Sequence, residues 1–150
     1  PDYTGLKVYL TFKNADSRLL DLSECQITGF DSSKVERDQV ITIAYQEFTC
    51  QYTITVKKDI GLFNPVPVSI TFKTLPDKLE YKVNDWLNRN GGMLICEYND
   101  GLTREIPLLD KNMRVKGFDS SAPTDEQILT VEYKEMGVTV STTYTIKVTE

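Results

Sequence analysis

Apolar and polar positions alternate along most of this chain. Val8, Leu10 and Phe12 fall on one side of an extended run, and Lys7, Tyr9 and Thr11 on the other. That period of two is the pattern of a strand with one buried face. A turn cluster follows at residues 13–17. A short second strand is expected at 18–21 and another around Cys25 and Ile27, ending at Asp31-Ser32-Ser33. Asp and Ser favour turns there because their side chains bond nearby backbone amides. Residues 34–38 read as a charged loop. The next strand, 40–45, places Ile41, Ile43 and Tyr45 on one face, and its return strand, 49–56, turns Tyr52, Ile54 and Val56 inward.

The same texture resumes after residue 67. Val68, Ile70 and Phe72 alternate, and residues 79–83 are extended. Residues 93–98 and 103–106 flank Asn99-Asp100-Gly101, a strong hairpin signal because these residue types tolerate positive φ. Met113 and Val115 precede two closing strands at 128–133 and 141–148. No segment sustains a helical period with caps. Short strands at regular spacing between turns predict an all-β sandwich.

The pattern is duplicated. Gly29-Phe30-Asp31-Ser32-Ser33 returns as Gly117-Phe118-Asp119-Ser120-Ser121. Residues 38–45 align with 126–133 without a gap, and Tyr52-Thr53-Ile54-Thr55-Val56 returns as Tyr144-Thr145-Ile146-Lys147-Val148. Two copies of one unit are implied, each near the low end of the size that builds its own core. The expected division is a first domain at 1–58, a linker at 59–67 and a second domain at 68–150. Pro65 and Pro67 would stiffen the linker, and Leu62 and Phe63 within it are expected to pack against a flanking domain. The final hairpin of the second copy is longer by four residues, expected around Met136-Gly137-Val138. Nothing before Gly5 corresponds to residues 68–83, so the first copy is expected to be less complete, with an exposed sheet edge or core flank that borrows contacts from a neighbour.

Charge and cysteines narrow the functional classes. The net charge is −5 with Lys and Arg scattered, which argues against a nucleic-acid footprint. No apolar run approaches a membrane span. Pro1 reads as the start of a trimmed segment, so the lack of a signal peptide carries no weight. The cysteines are Cys25, Cys50 and Cys96. An odd number cannot pair completely, and the repeat aligns Cys25 with Met113 and Cys96 with Leu10, so all are expected to be buried or half-buried free thiols.

In order along the second copy stand Thr74-Leu75-Pro76-Asp77-Lys78-Leu79-Glu80-Tyr81-Lys82-Val83-Asn84-Asp85, then Tyr98-Asn99-Asp100-Gly101-Leu102-Thr103-Arg104-Glu105-Ile106-Pro107, a Gly-Phe-Asp-Ser turn, a Val-x-Tyr strand and a Tyr-Thr-Ile-x-Val close. This series resembles the bacterial immunoglobulin-like domain of group 3. The resemblance covers nearly the whole second copy and implies two tandem immunoglobulin-like antiparallel β-sandwiches. Asn84 stands where that pattern has Gly, and Asn14-Ala15-Asp16 replaces the Asp-Gly turn in the first copy. The family's members look like spacer or adhesion modules of secreted and cell-surface bacterial proteins, so the resemblance implies that setting, neighbouring domains of a longer chain, and a cell-wall or host glycan or protein as partner.

The residues themselves offer no catalytic, metal or cofactor site. Without histidine, a Ser-His-Asp or Cys-His arrangement is impossible, and there is no Cys-x-x-Cys. The carboxylates Asp31 and Asp119 sit at turns of separate copies. Oxygen-bearing residues 119–125 and Asn99-Asp100 lack the spacing of a calcium loop and are accounted for by turns. The candidate ligand contacts are Trp86, Asn88 and Asn90. Trp86 is the single tryptophan, in a turn-rich stretch with no counterpart in the first copy. It serves either as a cap on one end of the sandwich core or as a platform for a sugar. The expected function is a non-enzymatic spacer or adhesion module, with a carbohydrate-binding accessory module as the alternative.

Overall fold

A computed structural model describes residues 2–150; Pro1, read above as the start of a trimmed segment, lies outside the described residues. The chain is all-β and forms two compact units, the first running to Lys57 and the second Lys58–Glu150.

The second unit is a sandwich of two sheets. One has the order β6-β8-β9, from β6 (Pro67–Thr74), β8 (Met93–Tyr98) and β9 (Thr103–Pro107). The other has the order β10-β11-β12-β7, from β10 (Met113–Lys116), β11 (Thr124–Glu135), β12 (Val138–Thr149) and β7 (Glu80–Lys82). Pairing is antiparallel except that β7 runs parallel to β12, with Tyr81 opposite Val148. Both sheets send alternate apolar side chains inward. Ile70, Leu94, Cys96 and Ile106 meet Tyr81, Leu129, Val131, Ile146 and Val148 in one continuous core.

The first unit repeats part of this plan. β1 (Val8–Thr11) pairs with β2 (Ser17–Leu20), and β3 (Gln26–Thr28), β4 (Glu36–Tyr45) and β5 (Phe48–Val56) form a three-stranded sheet. A 3₁₀ turn at Leu22–Glu24, capped by the Asp21 carboxylate, links the two sheets. The expected charged loop at 34–38 is shorter than predicted: β4 begins at Glu36, and a bulge between Glu36 and Gln39, with Asp38 at φ 57°, absorbs the extra residue. The same bulge recurs between Thr124 and Gln127.

Each copy of the repeated pentapeptide is held by a glutamine. Gln39 Oε1 accepts from the Asp31 amide at 2.8 Å, and its Nε2 donates to the Asp31 carbonyl at 3.1 Å. Gln127 does the same to Asp119 at 2.9 and 2.8 Å. The aspartate carboxylates cap their own turns, accepting from the Ser33 amide at 2.9 Å and the Ser121 amide at 2.8 Å. The repeat is thus a structural latch: a side-chain amide satisfies both backbone groups of a residue that has left the ladder.

Several expectations are corrected. Val68 is exposed although Ile70 is buried, because a register shift between Pro67 and Ser69 adds one residue to β6 and turns Val68 outward. Leu62 and Phe63 are exposed rather than packed. The stretch around them is nevertheless bonded into the second unit: Lys58 N donates to the Asp100 carbonyl, and Val66 and Asn99 exchange bonds. The four extra residues of the last hairpin lengthen both strands, not the loop, since the turn is the two-residue Met136–Gly137 with φ 49° and 82°. Cys96 is buried and Cys25 half-buried, but Cys50 is exposed, near the start of β5 and two residues before the half-buried Tyr52.

The hydroxyls of the buried tyrosines are satisfied unequally. Tyr98 donates to Glu135 Oε2 at 2.5 Å, but the buried Tyr144 hydroxyl has no hydrogen-bond partner among the described residues. Phe72 packs edge-on to its ring at 5.3 Å, so the site is shaped for the ring alone. An unmatched buried hydroxyl costs about 1–3 kcal/mol, and Tyr144→Phe is expected to raise the urea midpoint of the second unit by an equivalent of about 1 kcal/mol. Burial also pushes the Tyr144 phenol from 10.0 up to about 12. A raised phenol favours the neutral folded form. This contribution is therefore complete below pH 10 and lost as pH rises from 10 towards 12. The phenylalanine variant should show a flatter alkaline decline in stability over that window.

Candidate functional site

The loop that leaves β7 is locked before it reaches Trp86. Asp85 Oδ2 accepts from the Lys82 amide at 2.8 Å and from Lys78 Nζ at 2.7 Å. Those bonds, the Lys78 one foremost, hold the Asp85 carboxyl below its usual range. Asn84 takes φ 67°, a conformation that Asn tolerates better than other side chains, consistent with its standing where a glycine is usual.

Two further bonds staple this turn to the repeated pentapeptide. Asn84 N donates to the Ser120 carbonyl at 2.9 Å, and Ser120 Oγ donates to the Asp85 carbonyl at 2.8 Å. Beneath them Phe118 packs edge-on against Tyr81, with centroids 5.0 Å apart. A depression of about 460 Å³ results, walled by Asn84, Asp85 and Trp86 on one side and by Phe118, Asp119, Ser120 and Ser121 on the other.

Trp86 is 91% exposed at the edge of this depression. It caps no core, so the capping alternative is overturned. The neighbouring Leu87 packs against the core, as does Phe118, which lies edge-on to Tyr81. Asn88 and Asn90 do not join it. The Asn88 backbone flanks the Tyr81 hydroxyl, the Asn88 side chain accepts from the Asn90 amide at 2.8 Å, and the Asn90 carbonyl accepts from Asp77 N. Both shape the loop. The residues that do line the depression with Trp86 belong to the repeated pentapeptide 88 positions downstream of its first copy. The sequence marks that stretch as a turn but carries no signal that it meets Trp86.

Chemically, the site offers one flat aromatic face, an exposed amide at Asn84 and a hydroxyl at Ser121. Lys78 offsets the charge of Asp85, and Asp119, lowered by the bonds from Ser121, supplies an acceptor. Among the described residues, no three His, Cys, Asp or Glu side chains gather as a metal site. Asn99 and Asp100, whose oxygens could have served a cation, accept from Val66 N and Leu102 N instead.

The profile of the bacterial Ig-like domain (group 3) matches residues 74–148. The chain belongs to this family. The match begins at the end of β6 and closes within β12, so it contains the locked loop, Trp86 and the second latch. Among characterised proteins, the chain is 32% identical over 124 residues to Pectate lyase L of Thermoclostridium stercorarium, covering 82% of the chain and 9% of that protein. The solution structure of a candidate surface protein aligns with 53% of the chain and 86% of its own length, at 23% identity and a TM-score of 0.27. Among the described residues of this Ig-like chain, no helix is long and apolar enough to cross a membrane.

Proposed function

We propose that this chain is a non-enzymatic accessory module of a longer, secreted or surface-attached bacterial protein, in which Ig-like units act as spacers and the Trp86 ledge makes adhesive contact with polysaccharide. The observation that carries the reading is the exposure of Trp86 on a loop held by bonds at Lys78, Lys82 and Ser120. A large aromatic side chain left in water on a rigid support has no role in the stability of the unit. A flat ring flanked by an amide and hydroxyls suits the apolar face and equatorial hydroxyls of a pyranose. The lyase relative supports the setting: its name denotes action on a polysaccharide, and the region it shares with this chain is a small part of its length.

Titration of the chain against plant and bacterial cell-wall polysaccharides, pectate, and host glycans tests this, with Trp86→Ala alongside. The expected result is saturable binding to one class that the substitution weakens by about 30-fold or more, the scale of a hot-spot aromatic of about 2 kcal/mol. Stability should move by no more than about 0.5 kcal/mol, as for an exposed side chain. Binding that survives the substitution would remove Trp86 from the reading. No binding across the panel would leave the plain spacer, which two β-units in series support without any ligand.

A further inference from the structure

The outer face of the β10-β11-β12 sheet gathers charge that its duplicate lacks. Arg114 of β10 lies directly opposite Glu132 of β11, and Lys134 of β11 lies opposite Thr139 of β12. Strand parity sends Arg114, Glu132 and Lys134 away from the core, since their neighbours Met113 and Tyr133 are buried. Lys111 and Asn112 come from the turn that leads into β10, and the Lys134 amide donates to the Asn112 carbonyl at 3.2 Å. These six residues wall a depression of about 330 Å³.

The cations in it are unequally engaged. Glu132 is held by Lys116, whose Nζ lies 2.7 Å from its Oε1. Lys111, Arg114 and Lys134 are exposed and form no ion pair among the described residues. Arg114 and Lys134 sit on neighbouring strands two residues out of register, which separates their Cα atoms by about 8 Å. The first copy shows that the fold does not require these charges. There Gln26 stands opposite Ala44 where the second copy has Arg114 opposite Glu132. Ser23 falls at the place of Lys111, and β4 ends at Tyr45, before the position of Lys134. The same three-stranded ladder forms without them. Like charges gathered in one depression repel, and an anion seated among them reverses that cost.

The rest of the wall selects the anion. Arg114, Lys134 and Lys111 can donate charge-assisted hydrogen bonds to an oxyanion. Glu132 stays beside them as an acceptor, and Asn112 and Thr139 add an amide and a hydroxyl. A ligand made only of phosphate or sulfate groups would be repelled by Glu132 and would leave the neutral groups unmatched. A carboxylate set among hydroxyls satisfies all of them. Further along β12, Ser141 and Thr143 are exposed on the same face as Thr139, a row of hydroxyls for the next sugar of a chain. We propose that this depression binds a uronic-acid residue of an acidic polysaccharide. The site shares no lining residue with the Trp86 ledge; it rests on the polysaccharide reading of that ledge only for the class of polymer, and adds an anionic sugar at a second place.

Arg114→Gln combined with Lys134→Gln tests the site, since glutamine keeps a long polar side chain without the charge. Its control is Lys7→Gln combined with Lys13→Gln, exposed cations of the first unit, which changes the net charge equally. Each protein is titrated with polygalacturonate, alginate and hyaluronan, with carboxyl-reduced samples of the same polymers, and with dextran sulfate. The expected result is saturable binding of the parent to a uronate polymer, lost on carboxyl reduction and weakened about 10-fold or more by the Arg114 and Lys134 pair but not by the control pair. Urea midpoints of both double variants should match the parent's, as for exposed positions. Absence of binding to every uronate polymer, binding that survives carboxyl reduction, equal weakening by the two pairs, or equal binding of dextran sulfate would overturn the site. Trp86→Ala in the same titrations keeps the two readings apart. Loss with the Arg114 and Lys134 pair but not with Trp86→Ala supports this site and removes the ledge; loss with Trp86→Ala alone supports the ledge and overturns this site.

Discussion

Tyr81→Ala is expected to cost the second unit about 3–5 kcal/mol, the range for removing a buried aromatic ring. Tyr81 is 1% exposed and joins three parts of the molecule. Its backbone sits in β7, the parallel edge strand on β12. Its ring supports Phe118 of the second latch. Its hydroxyl lies 3.0 Å from the Lys78 carbonyl and 3.1 Å from the Asn88 carbonyl, sharing its proton between them, and accepts from the Asn88 amide at 3.2 Å. Loss of the side chain therefore leaves a cavity and frees the loop that carries Trp86. Urea denaturation followed by circular dichroism measures the first effect. The second predicts weaker polysaccharide binding even where the variant remains folded. Tyr81→Phe separates the two contributions: it keeps the ring and is expected to lose about 1 kcal/mol, the worth of a typical buried hydrogen bond. An alanine variant as stable as the parent would mean that β7 is not part of the cooperative core.

Gly29→Ala is expected to disrupt the first unit outright, while Gly117→Ala, at the matched position, costs the second about 1–3 kcal/mol. Both glycines hold positive φ, 97° and 90°, so the conformational strain is shared. The space is not. A β-carbon at Gly29 would stand 2.2 Å from the Val40 carbonyl oxygen, and one at Gly117 would stand 3.2 Å from the Ile128 oxygen. The first is a collision with backbone inside a paired strand, which must part β3 from β4; the second asks for a shift of a few tenths of an ångström. The first unit also has less to lose before it unfolds. Among the described residues its fully buried apolar side chains are Leu20, Ile41 and Ile43. Amide exchange on each variant gives the comparison, and equal losses at the two positions would show that φ alone sets the cost.

Much of this architecture was legible because strands announce themselves locally. Alternation placed Ile41 and Ile43 on one inward face, and Asn99-Asp100-Gly101 marked its hairpin, because side-chain direction in a strand depends only on parity. The recurrence behind the glutamine latch was legible: Gln39 and Gln127 each stand eight residues after Asp31 and Asp119, directly after the charged residues that open their strands. Its purpose was not visible, since its partners are backbone groups that only the fold brings near.

Bulges broke the parity argument at Val68. One inserted residue reverses which side chains face the core, and no residue type there signals the insertion. Burial misled at Trp86, Leu62 and Cys50 for a related reason. An apolar residue is buried only if some other element covers it, and the sequence near each position does not contain that element. Tyr144 shows the converse, a ring buried for its shape while its hydroxyl goes unmatched.

The amino-acid sequence by itself determined the class, the recurrence of the Gly-Phe-Asp-Ser-Ser stretch, most strands and turns and the family, since each rests on short-range periodicity, turn chemistry or ordered motifs. Tertiary structure alone decided that β7 pairs in parallel with β12, that Trp86 stands in solvent beside the second Gly-Phe-Asp-Ser-Ser turn, and that a bulge turns Val68 outward. Those features depend on contacts between segments far apart in the chain, and local physical chemistry does not choose which segments meet.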